Sequence, residues 1–449
     1  MVNFTHQDTS QDEALWLNTL EHAPELSDLL PGVPERLLVL AAHPDDETLG
    51  AGGLIAALAA AGTSVDVIVA TAGEASHPDS GTHTPERLAK IREQELRDAV
   101  AALAPKARVR LLGLPDGGLA GCREALSRAL EETAGAGTGT LWIAAPWRGD
   151  GHTDHDTAGE AAAEFARSAR IPLLEYPIWL WHWGTPEDIP SGLHVFPLVR
   201  EAARAKRTAM AAHHSQVNAL SDQPGDEVLL GADVLAHFER PFESFSLTVP
   251  RSARTVFEEL YAASGDPWDF EGSFYEHRKR ALTLAMLPRD RFARVFEPGC
   301  SIGVLTEELA RRSDSVAAMD ISARALQLAE QRLGPESGVE LLEGSIPENW
   351  PGGTFDLVMI SEIGYFLTPG QLRETVQRTA DSLAADGVLV LCHWRHPNEG
   401  WPLTGDDVHE AFLSLSGLDR LAAHSEEDFR IDVLVPRPAK SVARRDGLL

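Results

Sequence analysis

Apolar and polar residues alternate along this chain in blocks of two lengths. Short apolar runs of strand length fall at 36–43, 64–71, 107–113, 140–146 and 172–179. Between them lie Ala-rich helical stretches at 47–61, 84–104, 122–133 and 156–169, and another follows at 199–213. That alternation predicts a mostly parallel sheet covered by helices. Around 238–253 the pattern lapses into Glu239-Arg240-Pro241-Phe242-Glu243-Ser244 and Val249-Pro250-Arg251-Ser252, so a domain boundary is expected between 245 and 246. Alternation then restarts, with strands at 293–297, 315–319, 339–342, 355–360, 387–393 and 429–435. Its helices fall at 303–312, 322–332, 370–384 and 405–415. Residues 1–35 are expected to add a helical segment, and 134–139 a loop. No internal repeat is visible. The expected fold is α/β, with two doubly wound domains, 1–245 and 246–449, each a mostly parallel sheet flanked by helices.

Composition narrows the classes. The 449 residues suffice for two or three large cores. A formal net charge of −29 argues against a nucleic-acid-binding surface, which needs basic patches. The three cysteines, Cys122, Cys300 and Cys392, have no CxxC spacing, so neither a disulfide framework nor a thiolate zinc site is expected. The N-terminus is polar and acidic, unlike a signal peptide, and no run of about 18 apolar residues would span a membrane. The cytoplasm is the expected compartment. The oligomeric state is left open.

Chemistry concentrates where strands give way to helices. The first strand runs into His43-Pro44-Asp45-Asp46-Glu47, at the sheet edge where open α/β folds bind ligands. Asp45 and Asp46, as neighbours in extended backbone, point in different directions, so one can hold a metal and the other its water. After the fourth strand comes His152-Thr153-Asp154-His155-Asp156. Both clusters can meet at one edge. A catalytic zinc needs about three protein ligands and an open position for water.

These residues resemble the LmbE-like (PIG-L) N-deacetylases over roughly 36–240, through Ala42–Glu47, His152–His155, and Lys206 through Ser215-Gln216. The resemblance implies a Rossmann-type fold with His43, Asp46 and His155 as metal ligands, zinc or another divalent ion. It implies Asp45 as the base that activates water, and His152 stabilising or protonating the tetrahedral intermediate. Asp154 would orient a histidine. Arg92 and Glu95, one helical turn apart, are expected to pair as ions. His213 to Gln216 are read equally as site residues or as a helix cap. The run Trp179-Leu180-Trp181-His182-Trp183 reads as packing more than as a sugar-stacking wall.

In the second half, Arg294-Val295-Phe296 leads into Glu297-Pro298-Gly299-Cys300-Ser301-Ile302-Gly303 and then a helix. Glycines let the backbone turn tightly and approach a ligand. Asp320 ends the next strand, placed to accept from ribose hydroxyls. The loop departs from the pyrophosphate fingerprint Gly-x-Gly-x-x-Gly. Its acidic first position would repel a pyrophosphate but suits a cationic methionine-type cofactor. The pattern resembles class I S-adenosylmethionine-dependent methyltransferases, with a Rossmann-like fold, and in detail the NodS-type N-methyltransferases over about 260–437. Further matches are Asp266-Pro267-Trp268, Tyr275-Glu276, Gly344-Ser345-Ile346, Phe355–Val358, Ser361–Tyr365, His393-Trp394-Arg395 and Pro402–Asp406. By that resemblance Glu297, Gly299, Ser301, Gly303, Asp320, Ser345 and Ile346 bind the cofactor. Glu362, Tyr365 and His393 are substrate-side candidates. Cys300 reads as a small loop filler.

The two chemistries have an order. An amide nitrogen shares its lone pair with the carbonyl and is a poor nucleophile. Hydrolysis frees it for methyl transfer. The expectation is a bifunctional enzyme that deacetylates an N-acetylamino sugar and then N-methylates it. Its partner would be a small molecule, with neither nucleic acid nor membrane insertion. The alternatives are separate substrates with O-methylation, or a scaffold with one inactive domain.

Overall fold

The computed structural model describes residues 11–30, 32–135, 140–190, 192–335, 337–398 and 400–448. The expectations for residues 1–10 and 136–139 lie outside them. The chain divides into two compact units, Met1–Pro250 and Arg251–Leu449.

The first unit begins with α1 (Glu13–Leu20), the described part of the expected N-terminal helical segment, which buries Trp16. Then strands and helices alternate: β1 (Arg36–Ala41), α2 (Asp46–Ala60), β2 (Ser64–Thr71), α3 (Pro85–Leu103), β3 (Arg108–Leu114), α4 (Arg123–Gly135), β4 (Leu141–Pro146), α5 (Thr153–Ala169) and β5 (Leu173–Tyr176). Next come the short α6 (Leu180–Trp183), β6 (Leu193–Pro197), α7 (Arg200–Ala212), α8 (His214–Val217), α9 (Ala232–Ala236) and β7 (Phe242–Thr248). The described strands form one sheet in the order β3-β2-β1-β4-β5-β7-β6. β1 to β5 are parallel, whereas β7 runs antiparallel to β5 and β6.

Both faces of this sheet are covered, which is why β1 is apolar at successive positions. Leu37, Val39 and Ala41 enter one core, and Leu38, Leu40 and Ala42 enter the other. Each buried Leu or Val contributes about 1.5–3 kcal/mol against exposure.

The second unit opens with α10 (Ala253–Ala263) and α11 (Phe274–Ala285). It continues through β8 (Phe292–Pro298), α12 (Val304–Ala310), β9 (Ser313–Asp320), α13 (Ala323–Leu333), β10 (Val339–Glu343) and β11 (Phe355–Ser361). It closes with α14 (Pro369–Ser382), β12 (Leu383–Trp394), α15 (Gly405–Leu413), β13 (Leu418–Ser425), β14 (Phe429–Pro436) and α16 (Val442–Arg445). Its strand order, β10-β9-β8-β11-β12-β14-β13, repeats the winding of the first unit, again with the last pair antiparallel. The chain winds outward in both directions from β1 and from β8. The carboxyl ends beside these central strands are therefore the switch points where ligands bind. One winding serving twice in one chain means that chemistry must be argued from the sites.

The alternation missed α10, α11, β6, β7 and β13. Phe242 to Thr248 does alternate, but it follows Pro241 and is broken by Glu243, Ser244 and Ser246, so it reads as a lapse. The boundary expected at 245/246 falls inside β7, whose bonds to β5 and β6 hold it in the first sheet. Among the described residues, no helix is long and apolar enough to cross a membrane.

Candidate active sites

In the first unit the loop after β1 carries His43, Asp45 and Asp46, and the segment from β4 into α5 carries Asp150, His152, Asp154 and His155. The structure brings them together. His155 Nε2 lies 3.3 Å from His43 Nδ1 and 3.3 Å from Asp46 Oδ1. His43 Nδ1 lies 3.5 Å from Asp46 Oδ2. Donors about 2.0–2.1 Å from a tetrahedral zinc stand about 3.3 Å apart, so the three expected ligands have the spacing of one ion.

Each of the three expected ligands is braced from behind. Asp46 Oδ2 accepts the amides of Ala42 (3.1 Å) and His43 (2.8 Å). His155 Nδ1 pairs with Asp150 Oδ2 at 2.7 Å. Asp150 in turn takes the amides of Ile178, Trp179 and Leu180 at 2.9–3.0 Å. His43 Nε2, on the far side of its ring, faces Asp116 Oδ1 (3.1 Å) and Asp154 Oδ2 (3.4 Å). His43, Asp116 and Asp154 thus cluster within 4.8 Å around Nε2, on the far side of the ring from the Nδ1 that faces Asp46 and His155, while His43, His152 and His155 form a second such group. The ring of His152 stands 4.7 Å from that of His155, and its Nδ1 accepts the Asp154 amide at 3.3 Å.

The electrostatics suit a cation. Burial alone would lower both imidazoles. Bonds to Asp116, Asp154 and Asp46 nevertheless push His43 well above the usual histidine range. Asp46 and Asp150 likewise push His155 up to about 9 against burial. Asp46 lies well below the usual carboxylate range, because the two imidazoles outweigh its burial. His152 falls to about 4, by burial and by the neighbouring imidazoles. Asp45 is pushed up to about 6 by burial, opposed by the charge of Arg92.

Asp45 sits at φ 137°, a backbone conformation that costs a non-glycine residue about 1–3 kcal/mol. Arg92 supplies the restraint by donating to Pro44 O (2.7 Å), Asp45 Oδ2 (3.1 Å) and Gly73 O (3.0 Å). The expected Arg92–Glu95 ion pair is therefore replaced. Arg92 turns to the loop after β1, while Glu95 accepts from Ser215 N (2.8 Å) and Oγ (2.7 Å). His213 caps α7 and reaches Thr48 Oγ1 at 3.1 Å. Lys206 is buried on Glu243, at 2.7 Å. Trp181 packs edge-on to Trp16, 5.2 Å between ring centres.

Sequence reasoning missed Asp116, Asp150 and the role of Arg92. Asp116 had a signal, a carboxylate just past a strand in Leu114-Pro115-Asp116-Gly117. Asp150 had one too, two residues before His152. Nothing in the sequence marked Arg92 as the restraint on Asp45.

In the second unit a cleft opens at the carboxyl ends of β8 and β11. Glu297, Gly299, Ser301, Lys279 and Glu362 line it. Gly299 has φ +76°, and a Cβ there would lie 2.0 Å from the Ile363 side chain. Burial pushes Glu297 up to about 8, and its Oε2 has no hydrogen-bond partner among the described residues. Ser301 N–H donates to Asp320 Oδ2 at 2.9 Å, joining the loops after β8 and β9. Gly303 caps α12. Ser345 and Ile346 follow β10, and Ser345 N–H bonds Asn349 Oδ1 at 3.0 Å. Gly303, Asp320, Ser345 and Ile346 stand outside the lining of the cleft.

Glu362 Oε1 lies 3.0 Å from Lys279 Nζ, which also bonds Glu276 at 2.8 Å. Tyr365 donates its hydroxyl to Glu362. His393 was expected on the substrate side. It is instead fully buried and absent from the lining, because β12 is covered there by α15. Cys300 is buried, and burial holds its thiol well above its usual range, which suits a loop filler.

Two folds of one winding thus carry two enzyme classes, a metal-dependent amide hydrolase and a class I methyltransferase. The family model described as GlcNAc-PI de-N-acetylase (PIG-L) matches residues 38–166, and that for Nodulation protein S (NodS) matches 253–398. A 1D-myo-inositol 2-acetamido-2-deoxy-alpha-D-glucopyranoside deacetylase of Rhodococcus opacus is 30% identical over 255 residues, covering 44% of this chain and 87% of that protein. The chain belongs to the PIG-L family through its first unit, and its second unit is a methyltransferase domain similar to NodS. Nodulation protein S of Rhizobium tropici is 26% identical, covering 37% of this chain and 72% of that protein. A crystal structure of NodS from Bradyrhizobium japonicum with S-adenosyl-l-homocysteine aligns with 22% identity and a TM-score of 0.38, over 41% of this chain and all of that one. The residues present fit both cofactors, a divalent metal at the braced donor trio and S-adenosylmethionine beside the unpartnered Glu297 oxygen.

Proposed function

We propose that this chain hydrolyses the N-acetyl group of an amino sugar in its first unit, with zinc as the metal. Its second unit then methylates the freed amine. The observation that supports this most is the convergence of His43, Asp46 and His155 with Asp45 alongside. Those three residues would hold zinc, which supplies polarisation of the amide carbonyl and a water of lowered pKa.

Asp45 Oδ2 is held by Arg92. The other oxygen is then available to take the proton as water adds to the carbonyl carbon. A carboxyl at about 6 is ionised at neutral pH and still basic. His152 accepts a backbone N–H at Nδ1, so its neutral ring carries hydrogen on Nε2. That N–H donates to the carbonyl oxygen as it gains charge, a hydrogen-bonding role in place of proton delivery. Asp154 is gripped by the amides of Gly117 (2.8 Å) and Leu119 (3.1 Å), and it keeps His43 oriented. Asp45 returns its proton to the nitrogen, the C–N bond breaks, and acetate leaves.

In the second unit Glu297, Gly299 and Ser301 would hold the cofactor, with Asp320 fixing that loop through the Ser301 amide. Bound there, S-adenosylmethionine would supply an electrophilic methyl group to the neutral amine that hydrolysis frees and would leave as S-adenosylhomocysteine, so that positioning would be most of the catalysis. Glu362 faces the cleft as the acceptor-side carboxylate and takes the proton that the product sheds. Residence in one chain keeps the second site near the first site's product.

The test offers an N-acetylhexosamine glycoside with zinc and S-adenosylmethionine, followed by mass spectrometry. Acetyl loss first, and methyl gain only on the deacetylated species, is the expected outcome. Methyl gain on the intact acetamide would reject the order.

A further inference from the structure

Behind the methyl-donor cleft lies a polar chain that the reaction above does not use. The amide of Gly364 donates to His393 Nε2 at 3.2 Å. His393 Nδ1 lies 3.1 Å from His409 Nε2, and His409 Nδ1 lies 2.7 Å from Asp432 Oδ2. His393, His409 and Asp432 are all fully buried. They come from three elements, β12, α15 and β14.

The order of donors follows from the first bond. A backbone N–H can only donate, so His393 Nε2 carries no hydrogen and the neutral ring is protonated at Nδ1. That hydrogen goes to His409 Nε2, which forces the His409 hydrogen onto Nδ1 and so to Asp432. Burial keeps His393 well below the usual histidine range and lowers His409 as well, so both rings stay neutral. At the far end Asp432 also accepts from Arg430 Nε at 2.7 Å, so the chain ends on an ion pair.

At its near end the chain holds a loop with a strained neighbour. Glu362 has φ +59°, two residues before Gly364. Its side chain takes Lys279, the Tyr365 hydroxyl and the Trp394 amide (3.1 Å). A Cβ on residue 364 would stand 2.9 Å from His393 Nε2 and 2.5 Å from Val408. The backbone therefore meets the imidazole directly.

We propose that His393 is a positioning residue for methyl transfer: with its tautomer set by His409 and Asp432, it fixes the Gly364 amide and thereby aims Glu362 into the cleft. It touches neither cofactor nor acceptor. The functional consequence rests on the reading of Glu362 as the acceptor-side carboxylate.

The test has two arms. In the intact chain, nitrogen-15 NMR of the histidine rings is expected to show His393 and His409 with hydrogen on Nδ1. Hydrogen on Nε2 of His393 overturns the proposal. The kinetic arm supplies a deacetylated amino-sugar glycoside. His393→Ala is expected to lower kcat/KM for the amine about tenfold or more, as loss of a buried hydrogen-bond partner would. Its affinity for S-adenosylhomocysteine should change by less than about twofold. His393→Gln can place an amide oxygen where Nε2 stood, keeps an acceptor for Gly364, and should recover to within about threefold of wild type. Equal loss in both variants, or a matching loss of S-adenosylhomocysteine affinity, overturns the positioning role. If the alanine variant does not fold, the glutamine variant and the ring-nitrogen spectra still decide. A wild-type chain that methylates no amine would instead overturn the acceptor reading, and the spectra would then judge the relay alone.

Discussion

Asp150→Asn should weaken metal binding in the first unit while leaving the fold in place. Asp150 Oδ2 faces two donors, His155 Nδ1–H at 2.7 Å and the Trp179 amide at 2.9 Å. Oδ1 faces two more, the amides of Ile178 (2.9 Å) and Leu180 (3.0 Å). An asparagine can leave its oxygen on Ile178 and Leu180, but its NH₂ then meets two hydrogens. Two charge-assisted bonds are lost, each about 1.5–3 kcal/mol. His155 can escape only by moving its hydrogen to Nε2, the nitrogen that faces His43 and Asp46. That blocks its lone pair for the ion. Removing such a support costs about 10–100-fold in metal affinity, which is about 1.4–2.8 kcal/mol of the loss. Competition with a chromophoric chelator measures the dissociation constant directly. Deacetylation should fall with metal occupancy and recover in part at saturating zinc, while S-adenosylhomocysteine binding stays unchanged. A zinc dissociation constant within about twofold of wild type would refute the tautomer argument.

Three further outcomes are expected. Asp45→Asn should keep its zinc yet lose hydrolysis by about 10²–10⁴-fold, measured by acetate release, and near-normal turnover would remove Asp45 as base. Lys206→Met leaves the Glu243 carboxylate buried without its cation and should cost about 3–5 kcal/mol in denaturant unfolding of the first unit, so a loss under about 1 kcal/mol would contradict the buried pair. Burial raises Glu297 in the folded, cofactor-free protein from 4.5 to about 8, so the native state holds a proton that the unfolded chain has released. Its contribution is full below about 4.5 and declines as pH rises to about 8. Glu297→Gln should lack that decline, and identical slopes of stability against pH in the two proteins would show that Glu297 is not protonated in the native state.

Much of this protein is legible in its residues taken in order. The apolar runs of β1 and β2 and the Ala-rich stretches between them announce covered parallel strands, because both faces of such strands are buried. His43, Asp46 and His155 announce themselves because ligand type and position at a strand end are local properties. So are the glycines and the acidic start of the Glu297 loop. Strands outside the parallel run are harder to see. β7, between β5 and β6, and the edge strand β13 interrupt their apolar residues with polar ones, and the pairing of β7 is to distant chain. The same holds for the supports of the sites. Asp150 is known as a tautomer lock only when His155 stands 2.7 Å away, and Arg92 leaves its helical neighbour Glu95 for a loop 47 residues earlier. His393 reads as a substrate residue beside Trp394 and Arg395, until α15 lays His409 against it. The kinds of chemistry were thus written in local sequence, where spacing and side-chain type suffice. The protonation states and aim of those groups depend on burial and on partners far along the chain, and only the packed structure brings those together.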